Sequence, residues 1–151
     1  MTSAVDNPTS EPAETAEPAD PDEEEVEPPH FILYMAGPAY DEALARLTIW
    51  VRHLLIPVYG REVSSSSLWC SRWWEHPEAV AQFYALWMVW QDLTGPGSPL
   101  AGPAMWHRDY AGVALSALRA PDGPFAGCKP GKHRPNEALL VEQFPKNSSH
   151  Q

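Results

Sequence analysis

Apolar residues recur at helical spacing in three segments of the chain. In residues 40–56 they follow one another every three or four positions: Leu44, Leu47, Val51 and Leu54. This spacing places them on one face of a helix. Pro57 is predicted to end that helix, because a proline ring clashes with the preceding helical turn.

The second segment, residues 77–94, has the strongest helical pattern. Pro77 suits the first position of a helix, where no N–H is needed, and Glu78 suits the positive end of the helix dipole. Apolar residues then recur every three or four positions: Ala79, Phe83, Leu86, Trp90 and Leu93. Gly95, which Pro96 follows, is predicted to end this helix in a left-handed conformation.

A third helix is predicted to begin near Pro103. Its apolar residues repeat at helical spacing: Trp106, Tyr110, Val113 and Ala117. Gly112 lies within the repeat and is expected to break the helix, because glycine is a poor helix former. Residues 31–35 form an apolar run that fits an edge strand or an extended segment, and residues 136–143 fit one further short helix. These patterns predict a mainly α fold, a small single-domain bundle of two to three helices with long irregular segments.

The acidic residues divide the chain into parts of different character. Residues 1–30 hold ten acidic residues and no Lys or Arg, whereas residues 31–151 hold ten of each sign, so the net charge of -10 belongs to the N-terminal part. A segment so rich in Pro and charge cannot bury enough apolar surface to fold. We therefore predict a disordered acidic tail over residues 1–30, a globular helical domain over 31–134 and a flexible C-terminal tail over 135–151. The acidic tail either solubilises the protein or contacts a basic partner.

The composition also indicates a compartment. The N-terminus lacks the basic and apolar regions of a signal peptide, and no apolar run approaches the roughly 20 residues that cross a bilayer. Two cysteines without an export signal are typical of a reducing compartment. We therefore expect a cytoplasmic protein with no membrane partner.

Two Cys/His pairs are the candidates for metal binding. Five residues separate Cys70 from His76, and four separate Cys128 from His133. Two thiolates and two imidazoles are a ligand set of structural zinc sites, although each pair here mixes the two residue types and departs from the usual hairpin spacings. No cofactor other than this structural zinc is predicted.

The same four residues have a simpler interpretation. Both cysteines then pack as small core side chains, His76 caps the second helix and His133 is exposed. A third interpretation makes one cysteine a nucleophile activated by a histidine. No glycine-rich phosphate loop, paired carboxylates or nucleotide fingerprint accompanies them, so we predict no catalytic residue.

Two surface features are candidates for partner contacts. Trp73 and Trp74 are adjacent, so both cannot face one core, and an exposed tryptophan is a strong protein-contact anchor. The alternative is that both pack under the acidic tail or under the segment at Phe31. Basic residues that could contact a phosphate backbone are Arg108, Arg119, Lys129, Lys132 and Arg134. So few cations predict only weak, salt-sensitive nucleic-acid binding.

The order of these motifs resembles a known family. The blocks WCSRWWEHPEAV, LWMVWQDL, WHRDY and DGPFAGC, with His133 downstream, are similar to an uncharacterised actinobacterial family, domain of unknown function 4913, over residues 46–134. The resemblance implies a role in the biology of plasmids, phages or integrated elements, and it carries over no activity. After Asp109 the chain departs from the histidine-containing run that the family tends to show.

The sequence therefore does not specify a biochemical activity. The function we predict is that of a non-catalytic cytoplasmic accessory or interaction protein with a protein partner, encoded by a mobile genetic element. The alternative is a zinc-stabilised module that associates weakly with nucleic acid. A cysteine-dependent enzyme is the third hypothesis.

Overall fold

The computed structural model describes residues 30–145. The predicted acidic tail and the last six residues therefore lie outside the described part. Within residues 30–145 the chain folds into three helices and no strand, so the predicted mainly α class is confirmed. Between these same bounds, no helix is both long enough and apolar enough to cross a bilayer.

Helix α1 is built from three continuous parts, α-helical Gly37–Trp50, π-helical Val51–Leu55 and α-helical Ile56–Tyr59. The prediction that Pro57 ends this helix is wrong. The backbone N–H of Ile56 donates to the carbonyl of Val51, five residues back, and this wider turn relieves the clash that a proline ring makes with a regular α-turn. Leu47, Val51 and Leu55 are buried along the helix.

Helix α2, Pro77–Thr94, confirms the second predicted helix and supplies a large part of the core. Its buried residues are Ala79, Val80, Phe83, Tyr84 and Leu86. Gly95 is extended, with φ of -76°, so the left-handed cap predicted there is wrong. The left-handed glycine of this loop is Gly97, two residues later, with φ of 81°.

Helix α3 also has three continuous parts, Gly102–Met105, π-helical Trp106–Ala111 and Gly112–Arg119. Gly112 is helical, with φ of -63° and ψ of -43°, so the predicted break is wrong. Trp106 and Leu118 are fully buried on either side of it. Their burial offsets the roughly 1 kcal/mol by which glycine disfavours a helix.

The three helices meet in an aromatic core. The ring of Trp106 packs edge-on against Trp90, with centroids 4.8 Å apart, and Trp90 contacts Trp50 at 6.2 Å. The indole N–H of Trp106 donates to the backbone carbonyl of Leu86, 3.3 Å away. The apolar run near the start forms a short 3-10 helix, Ile32–Tyr34, that buries Ile32. It is neither the edge strand nor the extended segment that the sequence suggested.

Specific hydrogen bonds join the irregular segment before α2 to the end of α3. Arg119, at the end of α3, is buried and donates to the backbone carbonyls of Leu68, at 2.8 Å, and of Ser67 and Glu62, both at 3.4 Å. The N–H of Leu68 in turn donates to the carbonyl of Arg119, 2.8 Å away. The segment before α2 is thereby tied to the end of α3. Residues 135–145 are exposed without regular structure, so the short helix predicted over 136–143 is absent.

Candidate metal centre

Cys70, His76, Cys128 and His133 form one cluster at the end of the molecule where α2 begins and α3 ends. One side-chain ligand atom from each residue lies within 4.8 Å of every other. The Sγ atom of Cys70 is 3.2 Å from Nδ1 of His133, and the Sγ atom of Cys128 is 3.5 Å from Nε2 of His76. The two Cys/His pairs of the sequence therefore interleave, because each cysteine contacts the histidine of the other pair.

The first pair is placed by the entry to α2. A short 3-10 helix, Trp73–Glu75, reverses the chain between Cys70 and His76. The N–H of His76 donates to the carbonyl of Trp73, 3.0 Å away. Trp73 packs edge-on against Phe83 of α2 and anchors this turn in the core. His76 is the N-cap residue of α2, as the simpler interpretation has it, but its side chain makes no capping hydrogen bond.

The second pair is placed by a tight hairpin. Lys129 and Lys132 exchange two backbone hydrogen bonds of 2.9 Å and 2.8 Å around Pro130 and Gly131. Gly131 has φ of 73°, which only glycine adopts readily, and proline suits the preceding turn position. The turn brings Cys128 and His133 to the same side, four residues apart in sequence.

Phe125 joins the two halves of the cluster. It is fully buried, and its ring packs edge-on against His76 and against Trp69, with centroids 5.2 Å and 5.4 Å apart. Its carbonyl accepts a 2.9 Å hydrogen bond from the N–H of Cys128. Phe125 thus holds one ligand from each pair, His76 through its ring and Cys128 through its backbone carbonyl.

Two sulfur–nitrogen distances in the cluster fit a tetrahedral zinc site, whereas the widest separation, up to 4.8 Å, would have to shorten on binding. Zn–S bonds of about 2.3 Å and Zn–N bonds of about 2.0–2.1 Å at tetrahedral angles separate neighbouring S and N ligand atoms by about 3.5 Å. The Cys–His distances of 3.2 Å and 3.5 Å lie close to that value. Cys70 and His76 are each 1% exposed and Cys128 is 4% exposed, and the His133 side chain is 9% exposed. The prediction that His133 is exposed is therefore wrong.

Glu75 completes the surroundings of His133. Its Oε2 lies 3.0 Å from Nε2 of His133, and its other oxygen is bonded to Arg72. A carboxylate that accepts a hydrogen bond from Nε2–H favours the tautomer whose proton is on Nε2. The lone pair of Nδ1 then faces the cluster, as a metal ligand requires. Glu75 was not among the site residues predicted from the sequence. Its position beside His76 gave no indication that its partner is a histidine 58 positions further on.

Burial favours the neutral form of two members of the cluster, Cys70 and His76. Burial is the main cause that raises the pKa of the Cys70 thiol to about 11, a backbone hydrogen bond from Arg72 opposes it, and the Cys128 thiol adds to it. Burial, and then the neighbouring His133, lower the pKa of His76. Neutral imidazole is the form that binds metal, and a cation reverses the preference of a thiol for its proton.

Backbone amides also point at the sulfur atoms. The N–H of Arg134 donates to Sγ of Cys128 at 3.4 Å, and a backbone hydrogen bond from Arg72 reaches Cys70. Hydrogen bonds to the charged form favour thiolates. Nδ1 of His76 is buried and forms no hydrogen bond of good geometry, although the side chain of Asn136 lies close enough to raise the pKa of this ring against the effect of burial.

The partner-contact candidates divide on burial. Trp73 is buried, which leaves little of its side chain available to a partner, whereas Trp74 is 44% exposed. Among the basic candidates, buried Arg119 is committed to backbone carbonyls, and Arg108 is exposed but paired with Asp109 through two hydrogen bonds of 2.7 Å and 2.8 Å. The remaining cations are exposed and lie together on or beside the hairpin: Lys129, Lys132 and Arg134.

The family expected from the sequence motifs is borne out. No curated protein and no solved structure matches the chain. The sequence model of one family matches residues 44–147, a range that contains the three-helix core from the middle of α1, all four members of the Cys/His cluster and the segment beyond it. Because that match covers more than half of the 151 residues, the chain belongs to the family described as a domain of unknown function, DUF4913.

Proposed function

We propose that this protein is a non-catalytic interaction module stabilised by one structural zinc ion, which Cys70, His76, Cys128 and His133 would hold. The observation that carries the proposal is the convergence of these four ligand atoms within 4.8 Å of one another. Two thiolates and two imidazoles are a zinc ligand set, and the filled d shell of zinc imposes no geometric preference of its own on these ligands.

A structural role is favoured over a catalytic one. Catalytic zinc sites keep one coordination position for water or substrate, whereas structural sites are closed by four protein ligands. Here all four candidate ligands come from the protein, and the cluster is buried against the ring of Phe125. The chemistry that zinc supplies in such a site is cross-linking: it fixes the hairpin around Gly131 to the start of α2.

The cysteine-dependent enzyme is the weakest of the three hypotheses. Cys70 and His133 do form a close pair, with Sγ and Nδ1 3.2 Å apart. The thiol is 1% exposed, however, and its pKa is raised to about 11. A nucleophile has to be accessible and ionised, and this thiol is neither in the metal-free protein.

The partner side of the proposal is a protein contact that includes Trp74. Its ring is exposed beside the cluster and is braced edge-on by buried Trp73, 6.1 Å away. A rigid, partly exposed tryptophan suits a protein interface. The further parts of the proposal, a cytoplasmic location and a mobile genetic element as the source, rest on the sequence alone.

Weak nucleic-acid association is a second candidate, and it narrows to the hairpin. Lys129, Lys132 and Arg134 are exposed there, and the zinc ligands on both sides would hold them in place. Arg119 drops out because it is buried. Three phosphate contacts predict weak binding that declines steeply with salt.

The test of the zinc proposal is the metal content of purified full-length protein. We expect about one zinc per chain, loss of zinc in Cys70→Ser and His133→Ala, and full retention in the control His53→Ala, which changes an exposed histidine on α1. Cobalt(II) substitution should give the intense visible absorption of a tetrahedral site with two thiolates. Less than about a tenth of an equivalent of zinc, or octahedral cobalt, would contradict the proposal.

A further inference from the structure

A cleft of about 550 Å³ opens between the end of α1 and one side of α3. On α3 the lining residues follow one another at steps of four: His107, Ala111, Leu115 and Arg119. Small-molecule sites have volumes of about 300–1,000 Å³, so the cleft is large enough for a ligand. None of the four residues of the Cys/His cluster lines it. It is therefore a separate candidate site.

The formal charges in the lining of the cleft are all positive. Arg61 and Arg119 belong to the lining, and no described Asp or Glu does. The neighbouring acids in sequence, Glu62 and Asp122, are exposed and lie outside the lining. In the part of the chain that the structure describes, neither arginine forms an ion pair. The cleft therefore concentrates positive charge without a counter-charge from the protein.

Arg119 is the buried member of this pair, with 8% of the residue exposed. Its Nε and Nη2 atoms donate to the backbone carbonyls of Leu68, Ser67 and Glu62, which are neutral acceptors. Burial lowers the pKa of its guanidinium, and no carboxylate raises that pKa in return. Buried charges are ordinarily paired. The hydrogen bonds thus fix the guanidinium in place and leave its charge for an anion to balance.

The polar groups of another wall are also held in fixed positions. Nδ1 of His107 lies 2.7 Å from the carbonyl oxygen of Pro103, and Nε2 lies 2.9 Å from the hydroxyl of Tyr59. A carbonyl only accepts, so Nδ1 carries the proton, and Nε2 of the neutral ring accepts from the hydroxyl. His107 belongs to the π-helical turn Trp106–Ala111, and such turns are frequent at functional sites. A wall ordered in advance loses little entropy when a ligand binds.

Gly112 keeps the α3 side of the cleft open. It lines the cleft and is helical. A Cβ added there would meet only the carbonyl oxygen of His107, 3.9 Å away. The space that a side chain at this position would occupy therefore belongs to the cleft, and a larger residue there would fill it without disturbing the helix.

We propose that this cleft binds a small organic anion whose carboxylate or phosphate group lies between the guanidinium groups of Arg61 and Arg119. Guanidinium groups recognise both kinds of oxyanion through charge-assisted hydrogen bonds. The remainder of the ligand is apolar, because Val58, Ala111 and Leu115 supply apolar surface beside the two cations. The site does not depend on the zinc proposal, since the two share no residue.

The experiment titrates three probes of similar shape into isotopically labelled full-length protein: benzoate, phenyl phosphate and neutral benzyl alcohol. Two-dimensional NMR of the backbone amides locates and quantifies binding. We expect at least one of the two anions to shift the amides of Gly60, Gly112 and Ser116 with a dissociation constant of about 1 mM, the range of small, unoptimised ligands. Benzyl alcohol should bind at least about 10-fold more weakly, because it forms no charge-assisted bond. The tighter anion identifies the group that the cleft prefers.

Two substitutions separate the charge of the cleft from its shape. Arg61→Gln removes an exposed cation and should weaken anion binding by about 10-fold. Gly112→Leu fills the cleft and should abolish the shifts. The matched controls lie outside the lining: Arg52→Gln removes an exposed cation from α1, and Ala117→Leu places the same large side chain elsewhere on α3. Both controls should bind as the unchanged protein does, and an unaltered spectrum away from the cleft shows that each variant is folded.

Three results would overturn the proposal. The first is that neither anion binds with a dissociation constant below about 10 mM. The second is binding that Arg61→Gln and Gly112→Leu leave unchanged, or that benzyl alcohol equals. The third is an anion that shifts the amides of residues 128–134 instead of those of the cleft, because it would then bind at the hairpin or at the Cys/His cluster.

Discussion

Replacing Glu75 with Gln tests the metal site without touching a ligand. The carboxylate oxygen Oε2 lies 3.0 Å from Nε2 of His133, whose other ring nitrogen faces Cys70. Glutamine keeps the shape and an acceptor oxygen but removes the charge. The side chain of Glu75 is 33% exposed, so solvent screens part of the interaction and the effect should fall at the lower end of the 10- to 100-fold range for such partners. We expect zinc to bind about 10-fold more weakly, a loss of about 1.4 kcal/mol.

The assay has two parts. Competition with a chromophoric chelator gives the zinc dissociation constant of Glu75→Gln. Urea unfolding with zinc in excess should then show a free energy of unfolding lower by about 1.4 kcal/mol, because a ligand stabilises the native state in proportion to the logarithm of its affinity. With a strong chelator present, the difference between the two proteins should shrink to less than about 0.5 kcal/mol, the value of an exposed ion pair.

The control is Glu78→Gln, which removes an equal charge from the same end of α2. Glu78 is exposed and bonds to Gln82 instead of to a cluster residue. Both substitutions weaken the interaction with the helix dipole, but only the first one alters the surroundings of His133. Equal zinc affinities for the two variants, or a destabilisation by Glu75→Gln that persists in chelator, would refute the assigned role of Glu75.

Three further predictions concern the frame around the cluster. Gly112→Ala should raise the free energy of unfolding by about 0.5–1 kcal/mol, because Gly112 is helical and an added Cβ would come no closer than 3.9 Å to the His107 carbonyl. Gly131→Ala should lower the free energy of unfolding by at least about 1 kcal/mol, because Gly131 has φ of 73°. Urea unfolding measures both changes, and equal signs would contradict the reasoning. Arg119→Leu should cost about 2–3 kcal/mol in the same assay, since it removes the buried donor that ties the segment before α2 to α3; a cost below about 0.5 kcal/mol would mean that those bonds contribute nothing. Reversing the charge of Lys129 and Lys132 together should abolish any gel shift of nucleic acid at low salt while zinc content stays unchanged, and a persistent shift would exclude the hairpin as the contact.

The sequence pattern predicted where the helices lie but not the π-helical turns within them. α2 was found with its first residue because Pro77 and the apolar spacing agree. The two π-helical parts were missed, because they depend on packing between helices. In α1 the buried residues Leu47, Val51 and Leu55 follow at two steps of four. In a regular helix, with about 3.6 residues per turn, positions four apart drift gradually off one face. The wider turn at Val51–Leu55 compensates for this drift and keeps the three residues in the core.

The same packing explains why local rules failed at Pro57 and Gly112. Each rule describes a residue in a regular, isolated helix. Pro57 instead follows a π turn, and Gly112 follows another at Trp106–Ala111. The adjacency of Trp73 and Trp74 likewise predicts that one of the two is exposed but not which one. The 3-10 helix at Trp73–Glu75 turns Trp73 toward Phe83 and leaves Trp74 outside.

The convergence of the four cluster residues follows from helix lengths that the sequence nearly specified. α2 has 18 residues, and the three parts of α3, with 4, 6 and 8 residues, give it the same length. Two equal helices joined by the seven residues 95–101 pack antiparallel, so the residues before α2 and after α3 must lie at the same end. The bond between Leu68 and Arg119 marks that end. Cys70 with His76 and Cys128 with His133 flank the two helices on that side, and the interleaved pairing then follows from the Gly131 turn. A broken α3, as the sequence suggested, would have removed this constraint, and the mixed Cys/His pairs with unusual spacings left the metal site as an alternative.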